Sequence, residues 1–297
     1  MSIELTIFTP SYNRAHTLPR VYQSLKEQTL QNFEWLIIDD GSVDDTEKVV
    51  SEFINEQKLK IRYIKQENVG KQAAWNKAIA MAEGRIFCCL DSDDALYSKY
   101  NVDDIFTKYS SFFERDDVVG LRFLAYSNVK NTYDGDEVSK TIVVRTYFYE
   151  LSNHKNYGER IDFIKTHVIK NFLFPVEKDI KFIPEIWFYV ALAKAGYSFV
   201  YIPEPARIFF DDDPNNRLSR SSIRKHAKGH YISRAKILCD TPLEVYMTNP
   251  RVWIASLIRF SQCANYLNIS FKKRKEDVGL LYAFLSYLLF ISIFSFR

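Results

Sequence analysis

"TIFTPSYNRAHTLPRVYQSLKEQTLQNFEWLIIDDGSVDDT", Thr6–Thr46, decides the fold. An apolar run, Glu4–Phe8, stops at the polar "TPSYNR", and a second, Glu34–Asp39, stops at "DDGSVDDT". Between them Leu18, Val21 and Leu25 recur at helical spacing, with Pro19 in the first turn, where its missing N–H costs nothing. The reading is strand, helix, strand, and it continues outward. Asp44–Gln57 opens with acids and places Val49, Val50, Phe53 and Ile54 on one helical stripe. Lys60–Lys65 is a third strand. Lys71–Gly84 is an alanine-rich helix expected to stop at Gly84, and Arg85–Leu90 is a fourth strand. Strands separated by single helices call for a parallel sheet with right-handed crossovers. Near-continuous apolar strands fit a sheet covered on both faces. Ligands of such sheets bind outside the carboxyl ends of the strands.

The chain has 297 residues, 47% of them apolar, which suffices for one large α/β domain with an appendage. Its net charge of +3 is near balance and its basic residues are dispersed, which speaks against a nucleic-acid partner. Cys88, Cys89, Cys239 and Cys263 form no C-x-x-C pair and read as thiols of a reducing compartment. The N-terminus begins a strand at once and shows no signal-peptide pattern. The expected location is cytoplasmic.

The fourth apolar run ends in "DSDD", Asp91–Asp94. Acids this close raise one another's pKa, and a divalent cation relieves the conflict. If strand geometry persists, the Asp91 and Asp93 side chains point the same way. They then form half of a Mg²⁺ or Mn²⁺ site, completed by water and substrate phosphates. The alternative is a helix cap or a solvated turn. "IIDDGSVDDT" and "FTPSYNR" repeat the arrangement at the second and first strand tips, and "ENVGKQAAWN" opens the third helix with Gly70 and Lys71. No G-x-G-x-x-G or G-K-[ST] loop occurs, which disfavours a dinucleotide or P-loop fold.

Thr6–Thr46 followed by Asn68–Asp94 resembles the N-terminal half of a family 2 glycosyltransferase with the GT-A fold, in order and in spacing. The resemblance implies an α/β, Rossmann-like, mostly parallel sheet flanked by helices, with a helical C-terminal portion. Residues 1–220 would be the catalytic domain, 1–100 its nucleotide-sugar half and 100–220 its acceptor half. Residues 221–297 would be the helical region. The D-x-D motif, Asp91 and Asp93, would hold Mn²⁺ or Mg²⁺ on a nucleotide-diphosphate sugar, with Ser92 beside the nucleotide. Asp40 would contact the base, and Thr9, Pro10, Ser11 and Tyr12 would line the nucleotide pocket, with Lys71 nearby. Uridine diphosphate is the expected carrier.

The second half is less marked. Lys181–Ser222 resembles the family's acceptor segment, on which Glu185 is the catalytic base. Many relatives have Glu-Asp there, whereas this chain has Glu185-Ile186, leaving one acid. The alternative for Glu185 is a first-turn acid favoured by the helix dipole. Asp211, Asp212 and Asp213 read as a solvated loop. Arg217 and Arg220 would close over the diphosphate through paired N–H donors, or are plain surface charge. His226 and His230, four apart on a helix but without the Glu of H-E-x-x-H, are expected at the surface. The resemblance leaves open that one of them reaches the metal. "VVGLRFLAY" and "KTIVVRTYFY" are expected as strands joined around Tyr133–Glu137, and Glu185–Phe210 as a helix and two short strands.

The expected activity is metal-dependent, inverting transfer of a hexosyl or N-acetylhexosaminyl group to a hydroxyl of a glycan or lipid-linked glycan, as in polysaccharide biosynthesis. The absence of Q-x-x-R-W and of an array of spanning helices implies one sugar per encounter. The alternatives are a nucleotide-sugar-binding protein without catalysis and a nucleotidyltransferase, whose glycine- and arginine-rich loop is missing here. The uncharged stretch Gly279–Phe296 follows the basic Lys272–Asp277 and sits near the lower limit of the about 20 residues needed to span a bilayer. It is either a buried helix or a contact with the inner face of the membrane.

Overall fold

Three strand–helix repeats and a fourth strand open the chain: β1 (Leu5–Ser11), α1 (Leu18–Lys26), β2 (Phe33–Asp39), α2 (Thr46–Asn55), β3 (Lys60–Lys65), α3 (Lys71–Met81) and β4 (Ile86–Cys89). The computed structural model describes residues 3–155, 157–211 and 222–292, with the backbone alone for 290–292. It divides into two units. The first comprises Met1–Arg145, Lys155–Leu173 and Ser198–Pro214, and the second Thr146–His154, Phe174–Tyr197 and Asn215–Arg297.

In the first unit β1 pairs in parallel with β2 on one side and β4 on the other, and β2 pairs in parallel with β3. The apolar stripes explain the layers. Leu18, Val21 and Leu25 of α1 and Val50 and Phe53 of α2 share a core with Leu5, Ile7, Trp35 and Ile37 of the strands. Full burial of side chains of this size contributes about 1.5–3 kcal/mol each. The chain runs β1, β2, β3 outward in one direction, then returns to place β4 on the far side of β1. That reversal opens a crevice at the carboxyl ends of β1 and β4.

The rest of the sheet comes from β5 (Ala95–Leu96), β6 (Val118–Ser127), β7 (Thr132–Tyr133), β8 (Val143–Thr146), β9 (Arg160–Lys165) and β10 (Ser198–Phe209), with α4 (Asn101–Thr107) and a 3₁₀ turn, Ser110–Glu114, between β5 and β6. The order is β3-β2-β1-β4-β9-β6-β10-β5. The sheet is therefore mixed. β9 lies antiparallel to both β4 and β6, while β10 runs parallel to β6. Sequence reading misses β9, because "RIDFIK" carries Asp162 inside an apolar run. In the sheet Asp162 lies directly opposite Arg122 of β6 and takes two hydrogen bonds of 2.7 Å from its guanidinium. Paired in this bidentate way, the two buried charges pin the strand register.

Three further expectations are corrected. "KTIVVRTYFY" changes from β8 to a short helix, α5 (Tyr147–Ser152). The two strands after the next helix are one strand, β10, irregular around Ile202–Arg207. α3 ends at Met81, so Gly84 does not cap it. Gly84 is needed for close approach, since a Cβ there would lie 2.4 Å from the Thr6 nitrogen.

A short α6 (Thr166–Ile169) completes the helices of the first unit. The second unit is helical: α5, α7 (Ile186–Lys194), α8 (Ala227–Asp240), α9 (Leu243–Thr248), α10 (Pro250–Tyr266) and α11 (Phe271–Ser292). Tyr231 of α8 stacks on Phe260 of α10, and Leu238, Leu257, Cys263 and Val278 close that core. α11 is broken at Gly279, whose φ of 79° is non-helical.

Candidate active site

Two loops at the carboxyl edge of the sheet clasp each other. Asn13, with φ 54°, donates its N–H to Ser42 Oγ at 2.8 Å, and its side-chain oxygen accepts the Val43 N–H at 2.9 Å. The Arg14 N–H donates to Thr46 Oγ1, and the Ala15 N–H to Asp44 Oδ2. Asp44 also accepts from the Thr46 hydroxyl and N–H. Loss of water around Asp44 opposes its ionisation, but these donors prevail and its carboxyl sits below the usual range. Asp39 takes the Ser42 N–H and the Tyr63 hydroxyl. Asp40, also buried, takes the Val69 and Gly70 N–H groups and the Gln66 amide at 2.8–2.9 Å, tying 66–70 to β2. Gly70, at φ 101°, then starts α3.

Thr9 is buried inside this frame. Its hydroxyl donates to the Leu90 carbonyl and accepts the Trp35 indole N–H. Pro10 is half-buried and Tyr12 exposed. Ser11 is buried and its hydroxyl has no hydrogen-bond partner. It stands at the end of β1, beside the crevice.

The loop after β4 is different. The strand ends at Cys89, and the Asp94 N–H bonds back to the Asp91 carbonyl at 3.1 Å, so Asp91–Asp94 is a turn. Strand alternation therefore does not aim Asp91 and Asp93; the turn does. Cations surround it. Lys71 Nζ lies 2.9 Å from Asp91 Oδ1, and Arg207 reaches Asp91 Oδ2 at 3.3 Å. Asp93 Oδ2 is 3.8 Å from Arg14, and the Asp93 carbonyl accepts from Arg20. Asp94, buried like Ser92, is gripped by the Arg207 guanidinium and accepts the Phe210 N–H. Arg207 also donates to the Arg160 carbonyl.

The electrostatics follow from this arrangement. Loss of water works against Asp91 ionisation, yet Lys71 and Arg207, helped by Arg14, hold its carboxyl down at about 2. Burial pushes Asp94 up, opposed by Arg207 and assisted by Asp91 and Asp93, to about 7. Arg207 stays charged, because the acids around it outweigh its burial. Sequence reading missed Arg207. The signal was present: an arginine inside the apolar run "ARIFF" must be paired if buried.

Among the described residues no cluster of three His, Cys, Asp or Glu could hold a metal alone. The donor set still fits Mg²⁺ or Mn²⁺ on a diphosphate. Asp91 and Asp93 offer hard carboxylate oxygens, their side chains are 29% and 19% exposed, and such ions take the rest of their shell from water and phosphate.

Glu185 belongs to the second unit, half-buried at the residue before α7, where its carbonyl accepts from Phe188 and Tyr189. His226 and His230 are not surface residues. Both rings pack edge-on against Phe182. Arg217 and Arg220, with Asp212 and Asp213, lie outside the described residues.

Residues 6–174 match the family model described as Glycosyl transferase family 2. The glycosyltransferase GlyA of Streptococcus pneumoniae serotype 4 is 29% identical over 166 residues, covering 52% of this chain and 23% of that protein. The chain thus spans less than a quarter of that relative. Among solved structures, S. aureus TarS with UDP-GlcNAc superposes with a TM-score of 0.61 at 15% identity, over 99% of this chain and 93% of that one. The mannosyltransferase PcManGT of Pyrobaculum calidifontis, with GDP-Man and Mn²⁺, gives 0.56 at 14% identity, over 98% and 88%. At such identities these likenesses show a shared fold. The family match covers more than half of the chain, which therefore belongs to glycosyl transferase family 2.

Proposed function

We propose that the protein transfers one sugar from a uridine-diphosphate sugar to an acceptor hydroxyl, with a divalent cation and inversion at the anomeric carbon. The observation that carries the reading is the Asp91–Asp94 turn, ringed by Lys71, Arg14, Arg20 and Arg207 at the carboxyl end of β4. Carboxylates to hold a cation, together with side-chain cations to hold phosphate, are the pairing that a nucleoside diphosphate needs. The nucleotides carried by TarS and PcManGT, and the Mn²⁺ of the latter, support it.

Asp91 and Asp93 would hold the Mn²⁺ or Mg²⁺. When bound, the cation supplies Lewis-acid stabilisation of the departing diphosphate. Lys71 and Arg14 bring positive charge to the same phosphates. Asp40 shapes the base pocket through 66–70, and the unpartnered Ser11 hydroxyl is available to the nucleotide. Glu185 takes the proton of the acceptor hydroxyl, a contribution of about 10²–10⁴-fold.

The membrane-facing part of the reading rests on α11. Leu280, Leu281, Phe284, Tyr287 and Leu288 line its outward side, each 46–66% exposed, next to exposed Lys272 and Lys275. No described helix is long and apolar enough to cross a membrane. An interfacial helix needs only such a stripe and basic border, which suits an acceptor anchored in lipid.

The test is nucleotide release from a panel of UDP- and GDP-sugars with Mn²⁺ and glycan acceptors. Acceptor-stimulated release from one sugar nucleotide is expected, lost in Glu185→Gln at unchanged donor affinity. Full activity in Glu185→Gln would remove the base.

A further inference from the structure

The second unit contains a group of buried polar atoms that the transfer reaction leaves unused. His226, the residue before α8, and His230, Ser233 and Arg234 on it stand at spacings of four, three and one, along one side of the helix. On α10, Ser256, Arg259, Gln262 and Cys263 stand at spacings of three, three and one. The two helices meet here, as Arg234 donates to Ser256 Oγ at 3.5 Å. Five buried atoms in this group have no hydrogen-bond partner: His226 Nε2, His230 Nδ1, Ser233 Oγ, Arg234 Nε and Gln262 Oε1. Buried polar groups are almost always satisfied, so five together need an explanation.

The charges point to its nature. Neither Arg234 nor Arg259 has an acidic partner among the described residues. Burial lowers the Arg234 pKa, and the nearby positive charge of Arg259 lowers it further. Burial, with Arg234 and Arg259, also brings His230 down to about 4, so its ring is neutral at pH 7. Two neighbouring arginines without a carboxylate are a net liability in a helical core. Retaining them is understandable if an anion completes the group. Guanidinium N–H donors, a hydroxyl and a neutral imidazole are the donor set that phosphate oxygens accept from.

We infer that the α8–α10 face, through Arg234, Arg259, His230 and Ser233, binds a phosphate group. This assignment stands without the transferase reading. Only its extension, that the phosphate is carried by the acceptor, rests on that reading.

Thermal unfolding of the full chain, without donor or metal, tests it with inorganic phosphate and, separately, dimethyl phosphate, each against sodium chloride of equal ionic strength. Stabilisation by phosphate beyond the salt control is expected, with the midpoint concentration raised at least tenfold in Arg234→Met and in Arg259→Gln. Arg234→Met should also match or exceed the wild-type melting temperature without phosphate, since it removes an uncompensated buried charge. A structural arginine would behave oppositely. Dimethyl phosphate acting like phosphate supports a phosphate carried on a larger molecule; silence from it alone supports free phosphate. No phosphate-specific shift in the wild type, or equal shifts in both variants, overturns the site. Because neither probe involves sugar transfer, that failure is separate from failure of the transferase reading.

Discussion

Two acidic loops leave the same edge of the sheet and are used in opposite ways. After β2, Asp39, Asp40 and Asp44 are bound by backbone N–H groups, hydroxyls and one amide. After β4, Asp91, Asp93 and Asp94 meet side-chain cations. The sequences, "DDGSVDD" and "DSDD", look alike, but the partners differ. Backbone donors fix a carboxylate as part of the scaffold. Side-chain cations balance its charge, and Lys71 and Arg14 stand where the phosphates of a bound diphosphate would meet them. An acid at a strand tip is therefore not in itself a metal ligand; what faces it decides.

The largest effect should come from Arg207, which joins the β4 turn to β10. Arg207→Met removes the donor shared by Asp94, Asp91 and the Arg160 carbonyl and leaves the buried Asp94 carboxyl to take up a proton, a loss of about 3 kcal/mol by chemical denaturation. Adding Asp94→Leu should restore much of it, because both charges then leave together. A neutral single variant would show that the turn is not held from β10. Next, Asp44→Ala should cost about 0.5–2 kcal/mol by removing the acceptor of the Ala15 N–H and of the Thr46 N–H and hydroxyl at the start of α2, with Mn²⁺ affinity unchanged. If Mn²⁺ affinity fell instead, the contrast between the loops would collapse. The smallest effect is on pH. The Asp44 carboxyl is lowered in the folded state from its ordinary 3.8, so the unfolded chain binds the proton first. Its stabilisation is full above about pH 4 and fades as pH falls through the lowered value. Acid titration of Asp44→Asn should show a shallower loss of stability below about pH 4 than the wild type.

The strand–helix order of the opening half was readable, but the bonds that fix the β2 loop were not. The alternation of strand and helix to residue 90 fixed the parallel half of the sheet, because its periodicities are local. β9 and Arg207 were missed, for one shared reason. Each carries a buried charge whose partner is distant in sequence, Arg122 for Asp162 and Asp94 for Arg207. A lone charge in an apolar run looks like a fault until its partner is known. The turn at Asp91–Asp94 was hidden differently: the acids were visible, but the Asp94–Asp91 bond that replaces strand geometry was not. Likewise the histidines of α8 carry no flanking signal that Phe182 covers them.

On this proposal the β4 turn, and not the β2 loop, holds a divalent cation on a nucleoside diphosphate. Isothermal titration of UDP into wild type, Asp93→Ala and Asp44→Ala, with and without Mn²⁺, tests it most directly. Mn²⁺-dependent UDP binding is expected in wild type and Asp44→Ala, with its loss in Asp93→Ala while the fold stays intact by circular dichroism. Mn²⁺-dependent binding that survives in Asp93→Ala, or is lost in Asp44→Ala, would contradict it.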